Sequence, residues 1–189
     1  MEIWNKLINR MLRAARLDSC LFEEVATDEE ALGQAVMISL LASLATGIGM
    51  AITGLIGGKG PMWFVWGLLS GFFASLAGWF AWVVLTYLAA TTYLRGPQKV
   101  NITELTTALG FANSPCILRI MMCLPLLGWM VTFLAGIWAL ASGTVALKQA
   151  LDFSGGKALG ANIIGWLVYM AMVLLILFWI PSSYKMLPF

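Results

Sequence analysis

Histidine is absent from this chain of 189 residues, and cysteine occurs only three times. Without histidine the chain lacks the commonest general base and a frequent zinc ligand. Cys20, Cys116 and Cys123 have neither the close spacing nor the neighbouring ligands of a zinc or redox site. We therefore predict no metal, no cofactor and no catalytic residue, and we interpret the cysteines as small apolar side chains.

Charge is also scarce, because Asp, Glu, Lys and Arg make up 11% of the chain, whereas soluble domains contain about 25%. The eleven basic and nine acidic residues leave a net charge of +2, with no basic stripe of the kind that binds nucleic acid. No acidic residue lies in the middle of a long apolar run. Cation-coupled transporters place carboxylates there, so coupled transport is disfavoured.

Apolar residues are abundant, at 61% of the chain, and give a mean hydropathy of +0.89. A soluble domain of this size could not bury so much apolar surface. Helices in lipid satisfy their own backbone hydrogen bonds, so we predict an all-α, polytopic transmembrane helix bundle. More than half of the charged residues lie in residues 1–30, which we interpret as a cytoplasmic segment preceding a membrane domain at 31–189.

Five apolar runs are long enough to cross a hydrocarbon core of about 30 Å. The predicted spans are residues 31–56, 62–94, 103–125, 128–150 and 158–180. The third span is predicted to break at Asn113, Ser114 and Pro115, because proline disfavours helix at the residue before it. Whether this span crosses fully or re-enters on one side is left open by the pattern.

Residues 2–17 predict an amphipathic helix at the membrane surface, with apolar residues at helical spacing on one side. The residues assigned to the surface contact are Trp4, Lys6, Arg10, Arg13 and Arg16. Tryptophan suits the headgroup zone, and each basic residue near an anionic leaflet adds roughly 1 kcal/mol of attraction. A cytosolic helix packed on a partner protein is the alternative interpretation.

The basic residues also predict the orientation. If the N-terminus is cytoplasmic, nine of the eleven, with Arg119 counted near a helix end, lie in cytoplasmic segments, and only Lys59 and Lys185 lie outside. This is the asymmetry of the positive-inside rule. Five of the nine are candidate contacts for an anionic lipid headgroup or a partner, namely Arg95, Lys99, Arg119, Lys148 and Lys157. Snorkelling of long side chains explains the same pattern.

Polar and small residues suggest two further features. Several polar side chains near span ends could form one pocket, namely Gln34, Thr91, Thr92, Asn113, Arg119 and Asn162. Small residues recur at four-residue intervals and predict seams of close helix packing, at Gly67, Gly71, Ser75, Ala139, Gly143 and Gly165. The seams fit packing within one subunit, contact between copies, or contact with a partner.

The order of these parts resembles the Yip1 domain family of small multi-span membrane proteins. The resemblance is carried by LDSCLFEEVATDEEALGQA at 17–35, ALGFANSPCILRI at 108–120, and LPLLGW, FLAGIWAL and TVALKQALDFSGGKALG within 124–160. It implies a five-span fold with a cytoplasmic N-terminus. Eukaryotic members are associated with Rab GTPases, but their Asp-Leu-Tyr-Gly-Pro stretch is replaced here by LFEEVATDEE. The short N-terminal region is more similar to bacterial members, which implies the cytoplasmic (inner) membrane.

Three functional hypotheses follow. The first is a noncatalytic membrane scaffold or accessory subunit that docks other membrane proteins or copies of itself. The second is a channel, transporter or lipid-moving protein, because interrupted helices line substrate cavities and Arg119 lies near the predicted break. The third is a structural small subunit of a large membrane complex, which fits the nine tryptophans. Membrane lipids are expected partners in all three, and nucleic acid in none.

Overall fold

A computed structural model describes residues 2–28, 30–93, 101–150 and 154–183. This part of the chain is all-α and contains no strand. Its α-helices are α1 (Glu2–Ala15), α2 (Ser19–Thr27), α3 (Ala31–Ile56), α4 (Pro61–Leu88), α5 (Ile102–Ala112), α6 (Gly128–Ala150) and α7 (Gly155–Ser183). A π-helical turn at Ala89–Tyr93 continues α4, and a 3-10 helix at Ser114–Cys123, here called the 3-10 segment, follows α5.

Three of these helices are long and apolar enough to cross a membrane. They are Ala31–Ile56, Pro61–Thr92 and Gly128–Gln149, with 26, 32 and 22 residues and mean hydropathies of 2.1, 1.8 and 1.8. At 1.5 Å per residue, each exceeds the hydrocarbon thickness of about 30 Å. The chain is therefore an integral membrane protein with transmembrane helices.

The helix bounds follow the apolar runs closely. α3 and α6 begin and end at the residues predicted for the first and fourth spans. α4 begins at Pro61, whose fixed φ and missing N–H suit the first turn of a helix. The turn before it contains Gly58 and Gly60 at φ +73° and +77°, which side chains rarely allow. These glycines fold α4 back against α3.

The break predicted in the third run is confirmed. α5 ends at Ala112 and the 3-10 segment begins at Ser114, one residue before Pro115. Because proline cannot donate a backbone hydrogen bond and crowds the preceding turn, the α-helical pattern stops there. The 3-10 segment then packs against α3 and α6.

The two N-terminal helices pack on the bundle rather than standing apart from it. Asp18 caps α2 by accepting from the Cys20 backbone N–H at 3.0 Å, as its position predicts. Leu21 and Phe22 are fully buried in one cluster with Phe111 of α5. The C-terminus of α1 is bonded to α6, because the carbonyl oxygen of Ala14 accepts from Ser142 Oγ at 3.1 Å. This N-terminal hairpin (α1 and α2) is thereby fixed to α5 and α6.

Candidate functional site

The most unusual side chain in the bundle is Arg119, which is 0% exposed. Arg119 lies on the 3-10 segment, whose backbone passes close to Gly49 of α3. If residue 49 carried a Cβ, that atom would be only 2.6 Å from the Arg119 carbonyl oxygen. Gly49 precedes the end of α3 at Ile56 by seven residues, roughly 10 Å of helix. Only a glycine allows the irregular backbone to approach so closely.

The guanidinium of Arg119 reaches toward α6 and α7. Its Nη2 approaches Gly136 of α6, and a Cβ added at that glycine would be 3.5 Å from this nitrogen. Gly136 lies eight residues after the start of α6, which is roughly 12 Å along the helix. Nη1 donates to the Tyr169 hydroxyl, and Nη2 lies 3.6 Å from Met170 Sδ. The guanidinium carbon lies 4.8 Å from the centroid of the Tyr169 ring. A charged group is thus held deep inside the bundle by one tyrosine and one thioether.

Tyr169 is the centre of this arrangement. Its hydroxyl oxygen lies 3.4 Å from Asn113 Oδ1 and 3.6 Å from Cys116 Sγ, so it links the residues around the helix break. The face of its ring stacks on Trp82 of α4, with centroids 5.5 Å apart. Trp82 in turn donates through Nε1 to Asn162 Oδ1 at 2.9 Å. Helices α4, α5 and α7 and the 3-10 segment therefore meet at one aromatic residue.

Several polar atoms in this region have no hydrogen-bond partner. They include Arg119 Nε and Asn113 Nδ2, both of which can only donate. Among the described residues, no Asp or Glu forms a salt bridge with Arg119. Because an unpaired buried charge costs several kcal/mol, we treat the Arg119 cluster (Arg119, Tyr169, Asn113, Cys116 and Met170) as a candidate site.

The predicted set of five cationic contacts is not brought together. Lys148 and Lys157 are exposed at the adjoining ends of α6 and α7. Lys148 lies twelve residues beyond Gly136, which is roughly 18 Å along the helix from the Arg119 guanidinium. Arg119 therefore lies inside the bundle and not with Lys148 and Lys157 at that end of α6 and α7. Arg95 and Lys99 lie outside the described residues.

The predicted pocket of six polar residues is not formed either. Asn113 and Arg119 meet at Tyr169, but Asn162 is engaged with Trp82 and with the Leu140 carbonyl at 2.9 Å. Gln34 accepts from Arg10 on the N-terminal hairpin, and Thr91 and Thr92 are exposed. Spacing along the chain placed these residues near helix ends but not on facing surfaces.

The small residues predicted as packing seams lie inside the subunit. A Cβ at Gly71 would be 2.8 Å from the Gly47 Cα, and one at Gly165 would be 2.6 Å from the Trp82 carbonyl oxygen. The remaining members are also buried or in contact with a neighbouring helix, namely Gly67, Ser75, Ala139 and Gly143. The seams are therefore occupied by contacts within one subunit.

Most basic residues of α1 form ion pairs within the N-terminal hairpin. Arg10, with a side chain only 5% exposed, donates through Nη2 to Glu24 and Asp28 at 2.7 Å each. Arg13 pairs with Asp18 at 2.8 Å and with Glu24 at 2.7 Å. Lys6 lies 3.4 Å from Asp28. Arg16 and Trp4 are exposed.

The ion pairs shift the acidic side chains toward their charged form. The hydrogen bond from Arg13, followed by the one from Arg10, lowers the pKa of Glu24. The hydrogen bond from Arg10 lowers the pKa of Asp28, and the one from Arg13 lowers that of Asp18. This ion-pair network therefore stays charged at neutral pH and holds α1 against α2.

A cleft opens at the end of the bundle where α3 turns into α4. It has a volume of about 360 Å³ and is lined by Met50, Trp63, Met122, Trp129, Thr132 and others. Lys59 also lines it, with its ammonium group 4.3 Å from the centroid of the Trp63 ring. The cleft is thus mainly apolar, with one cationic residue.

Tyr169, Trp82 and the two glycines that admit Arg119 were not predicted from the sequence. Tyr169 is the one tyrosine inside the last predicted span, and that position was a usable signal. A tyrosine in the middle of an apolar run needs a hydrogen-bond partner, and Arg119 was the basic residue farthest from the ends of a predicted span. Gly49 and Gly136 carry no signal of their own, because many glycines occur in these helices.

No protein-family model matches the chain, and comparisons with curated proteins and with solved structures find no match either. The resemblance to the Yip1 domain family therefore stays a prediction.

Proposed function

We propose that this protein is a noncatalytic scaffold or accessory subunit of the bacterial cytoplasmic membrane. It would cross the bilayer five times, with its N-terminus in the cytoplasm, and dock a membrane protein or a second copy through the N-terminal hairpin. The proposal rests chiefly on one observation, which is that α1 buries Arg10 among carboxylates and exposes a stripe of apolar side chains.

The exposed side of α1 carries Trp4, Ile8 and Leu12, which are 55%, 51% and 53% exposed, beside the exposed polar residues Asn5 and Asn9. The apolar positions are spaced four residues apart, so their side chains form one stripe along the helix. Such a stripe is how an amphipathic helix occupies the groove of a partner. It also suits the acyl boundary of a bilayer, where the helix would lie in the interface.

Charge favours a protein partner over simple adsorption to anionic lipid. The carboxylates of α2 partly neutralise Lys6, Arg10 and Arg13. Their attraction to a negative leaflet is reduced accordingly. Arg16, which follows α1, has no carboxylate within salt-bridge distance among the described residues. The apolar stripe is then the main feature that α1 offers to its surroundings.

Helix contacts support five crossings. Gly110 of α5 lies against Ala35, and Arg119 of the 3-10 segment against Gly49, so this run follows α3 in the same direction. The 14 residues between those two positions of α3 span roughly 21 Å, most of a hydrocarbon core. A re-entrant loop would return to its starting side instead. α7, with 29 residues, is long enough for the fifth crossing.

The orientation is supported by the basic residues even after Arg119 is removed from the count. Eight of the eleven Lys and Arg then lie on the N-terminal side of the bilayer, and Lys59 and Lys185 lie on the other. The positive-inside rule assigns the side with more basic residues to the cytoplasm.

A crosslinking experiment tests the docking proposal. A photoreactive amino acid would replace Ile8 on the α1 stripe and, in a control variant, Phe80, which is 63% exposed on α4. After illumination of native membranes, we expect Ile8 to capture a protein of defined mass or a second copy, and Phe80 to capture lipid. Lipid adducts alone at both positions would refute docking through α1.

A second candidate function is movement of an anion or lipid across the membrane. The observation in its favour is a fully buried arginine beside an interrupted helix, an arrangement typical of substrate pathways. Flux of labelled anions or lipids in proteoliposomes would test it, with Arg119→Met as the inactive control. The third hypothesis, a structural small subunit of a larger complex, predicts a stable assembly after purification in mild detergent.

A further inference from the structure

The Arg119 cluster lacks a negative charge. A guanidinium stays protonated in proteins, so Arg119 cannot escape burial by losing its proton. Tyr169 accepts one hydrogen bond and offers its ring face, which compensates part of the charge. Within the described part of the chain, neither the Nε of Arg119 nor the Nδ2 of Asn113 has a hydrogen-bond acceptor. An anion supplies both the charge and the acceptors that these groups need.

The cleft at the α3–α4 turn lies next to this cluster. Met122, which lines the cleft, follows Arg119 by three residues, one turn of 3-10 helix or roughly 6 Å. Thr132, another lining residue, precedes Gly136 by one turn of α6, and Gly136 faces the guanidinium. The cleft lining and the residues around the guanidinium are thus about one helical turn apart along both the 3-10 segment and α6.

Two methionines lie beside these groups, because Met122 lines the cleft and Met170 contacts the guanidinium. Unbranched methionine side chains change rotamer readily and fill irregular spaces. For an anion to reach Arg119 from the cleft, such side chains must rotate, which requires no change in the helices. Lys59 in the cleft adds a positive field that favours the approach of an anion.

The lining of the cleft indicates which anion fits. Its volume of about 360 Å³ lies at the small end of ligand pockets, and its walls are methionine and tryptophan side chains. We infer that the cleft and the Arg119 cluster together bind an amphipathic carboxylate, with its hydrocarbon chain in the cleft and its carboxylate on Arg119. This inference does not depend on docking through α1.

Equilibrium binding of radiolabelled decanoate to the full-length protein in nanodiscs tests the inference, with empty nanodiscs subtracted. Decanol serves as the uncharged analogue and sodium chloride as the small-anion competitor. We expect saturable decanoate binding, little binding of decanol, and a loss of roughly tenfold or more in decanoate affinity in Arg119→Gln. Lys148→Gln, which removes a distant exposed cation, should bind as the unaltered protein does.

Thermal unfolding separates a loss of decanoate binding from a loss of folding. The thermal midpoint of Arg119→Gln without ligand should equal or exceed that of the unaltered protein, because the variant removes an uncompensated charge. Equal decanoate affinity in both proteins, equal binding of decanol, or full competition by millimolar chloride would each overturn the assignment. A fall in the thermal midpoint of Arg119→Gln, with no effect of decanoate on either protein, would do so as well, because Arg119 would then be a structural residue only.

Discussion

Arg10 and Arg119 are both buried, at 4% and 0% exposure, yet the two arginines are compensated in different ways. Arg10, at the charged end of the molecule, bonds to two carboxylates and an amide oxygen. Arg119, inside the bundle, contacts the hydroxyl and the ring face of Tyr169 and the sulfur atom of Met170. The first arginine is part of a complete ion-pair network, whereas the second retains an unpartnered donor. Burial alone therefore does not tell a structural charge from a charge that awaits a ligand.

The largest effect is expected where the backbone admits Arg119. In Gly49→Leu, a Cβ would be 2.6 Å from the Arg119 carbonyl oxygen and 2.8 Å from Met122 Cγ, so the 3-10 segment must shift. We expect a loss of at least about 3 kcal/mol of unfolding free energy, or failure to fold. Gly33→Leu on the same helix, where nothing lies within 4 Å, is the matched control. Thermal unfolding of the two variants in detergent is the measurement. Equal midpoints would contradict close packing of the 3-10 segment against Gly49.

Removal of Arg10 is expected to have the second-largest effect. Arg10→Met leaves Glu24 and Asp28 without their main partner, and we expect the N-terminal hairpin to lose about 2 kcal/mol of stability, since both carboxylates keep some solvent. Phe22, 0% exposed, reports on this opening through chymotrypsin cleavage, which should accelerate. Arg16→Met, on an exposed residue, should leave the cleavage rate unchanged. If both variants behave alike, the ion-pair network does not hold the hairpin.

Acid should destabilise the N-terminal hairpin but not the helices around the Arg119 cluster. The pKa values of Asp18, Glu24 and Asp28 are lowered in the folded protein, so their contribution to stability is present above their ordinary values of 3.8 to 4.5 and is lost as pH falls through the lowered ones. Hydrogen exchange of α1 and α2, corrected for the intrinsic rate, should therefore accelerate below about pH 4. Exchange of α4 and α7 around Tyr169 should not change in that range. Parallel loss of protection in both regions would show that the hairpin is not a separate unit.

A smaller effect is expected at the junction between the two regions. Trp138 of α6 donates through Nε1 to the Ala15 carbonyl oxygen at 2.7 Å. Trp138→Phe removes this hydrogen bond while keeping an aromatic ring, so we expect a loss of about 1 kcal/mol from docking of the hairpin. Chymotrypsin cleavage at Phe22 is again the measurement, and Trp66→Phe, at a residue 59% exposed on α4, is the control. If Trp138→Phe and Trp66→Phe are cleaved at the same rate, the hydrogen bond from Trp138 does not stabilise docking of the hairpin.

The smallest effect is expected at the most deeply buried charge. Arg119→Met has a similar volume and removes the uncompensated guanidinium, so the unfolding free energy should change by less than about 1 kcal/mol or increase. Thermal unfolding beside Arg10→Met provides the comparison directly. A loss larger than that of Arg10→Met would mean that Tyr169 and Met170 fully compensate the charge of Arg119.

The helices that follow from composition and periodicity were predicted well. α3 and α6 match their predicted bounds because long apolar runs end at glycine, proline or charged residues. The break before Pro115 was predicted for a local steric reason that needs no partner. The cap at Asp18 has a similarly local cause, because its side chain accepts from a backbone N–H two positions away.

The candidate site was predicted only in part. Arg119 and Asn113 were singled out, but they were grouped with residues that lie elsewhere. Arg119 meets Tyr169 across 50 positions of sequence, and nothing in local spacing relates those two residues. The basic residues of α1 were assigned to the lipid surface, whereas Arg10 and Arg13 have carboxylate partners on α2.

The sequence by itself determined that this chain is apolar, helical and embedded in a membrane, and it located the helix ends and the break, because these depend on hydropathy and on contacts within one or two turns. Only the tertiary structure decided which charges are paired. Pairing depends on which helix faces meet, and in lipid those faces are selected by small residues such as Gly49 and Gly136 rather than by hydrophobicity. The same choice of faces left Arg119 without a carboxylate partner among the residues that the structure describes.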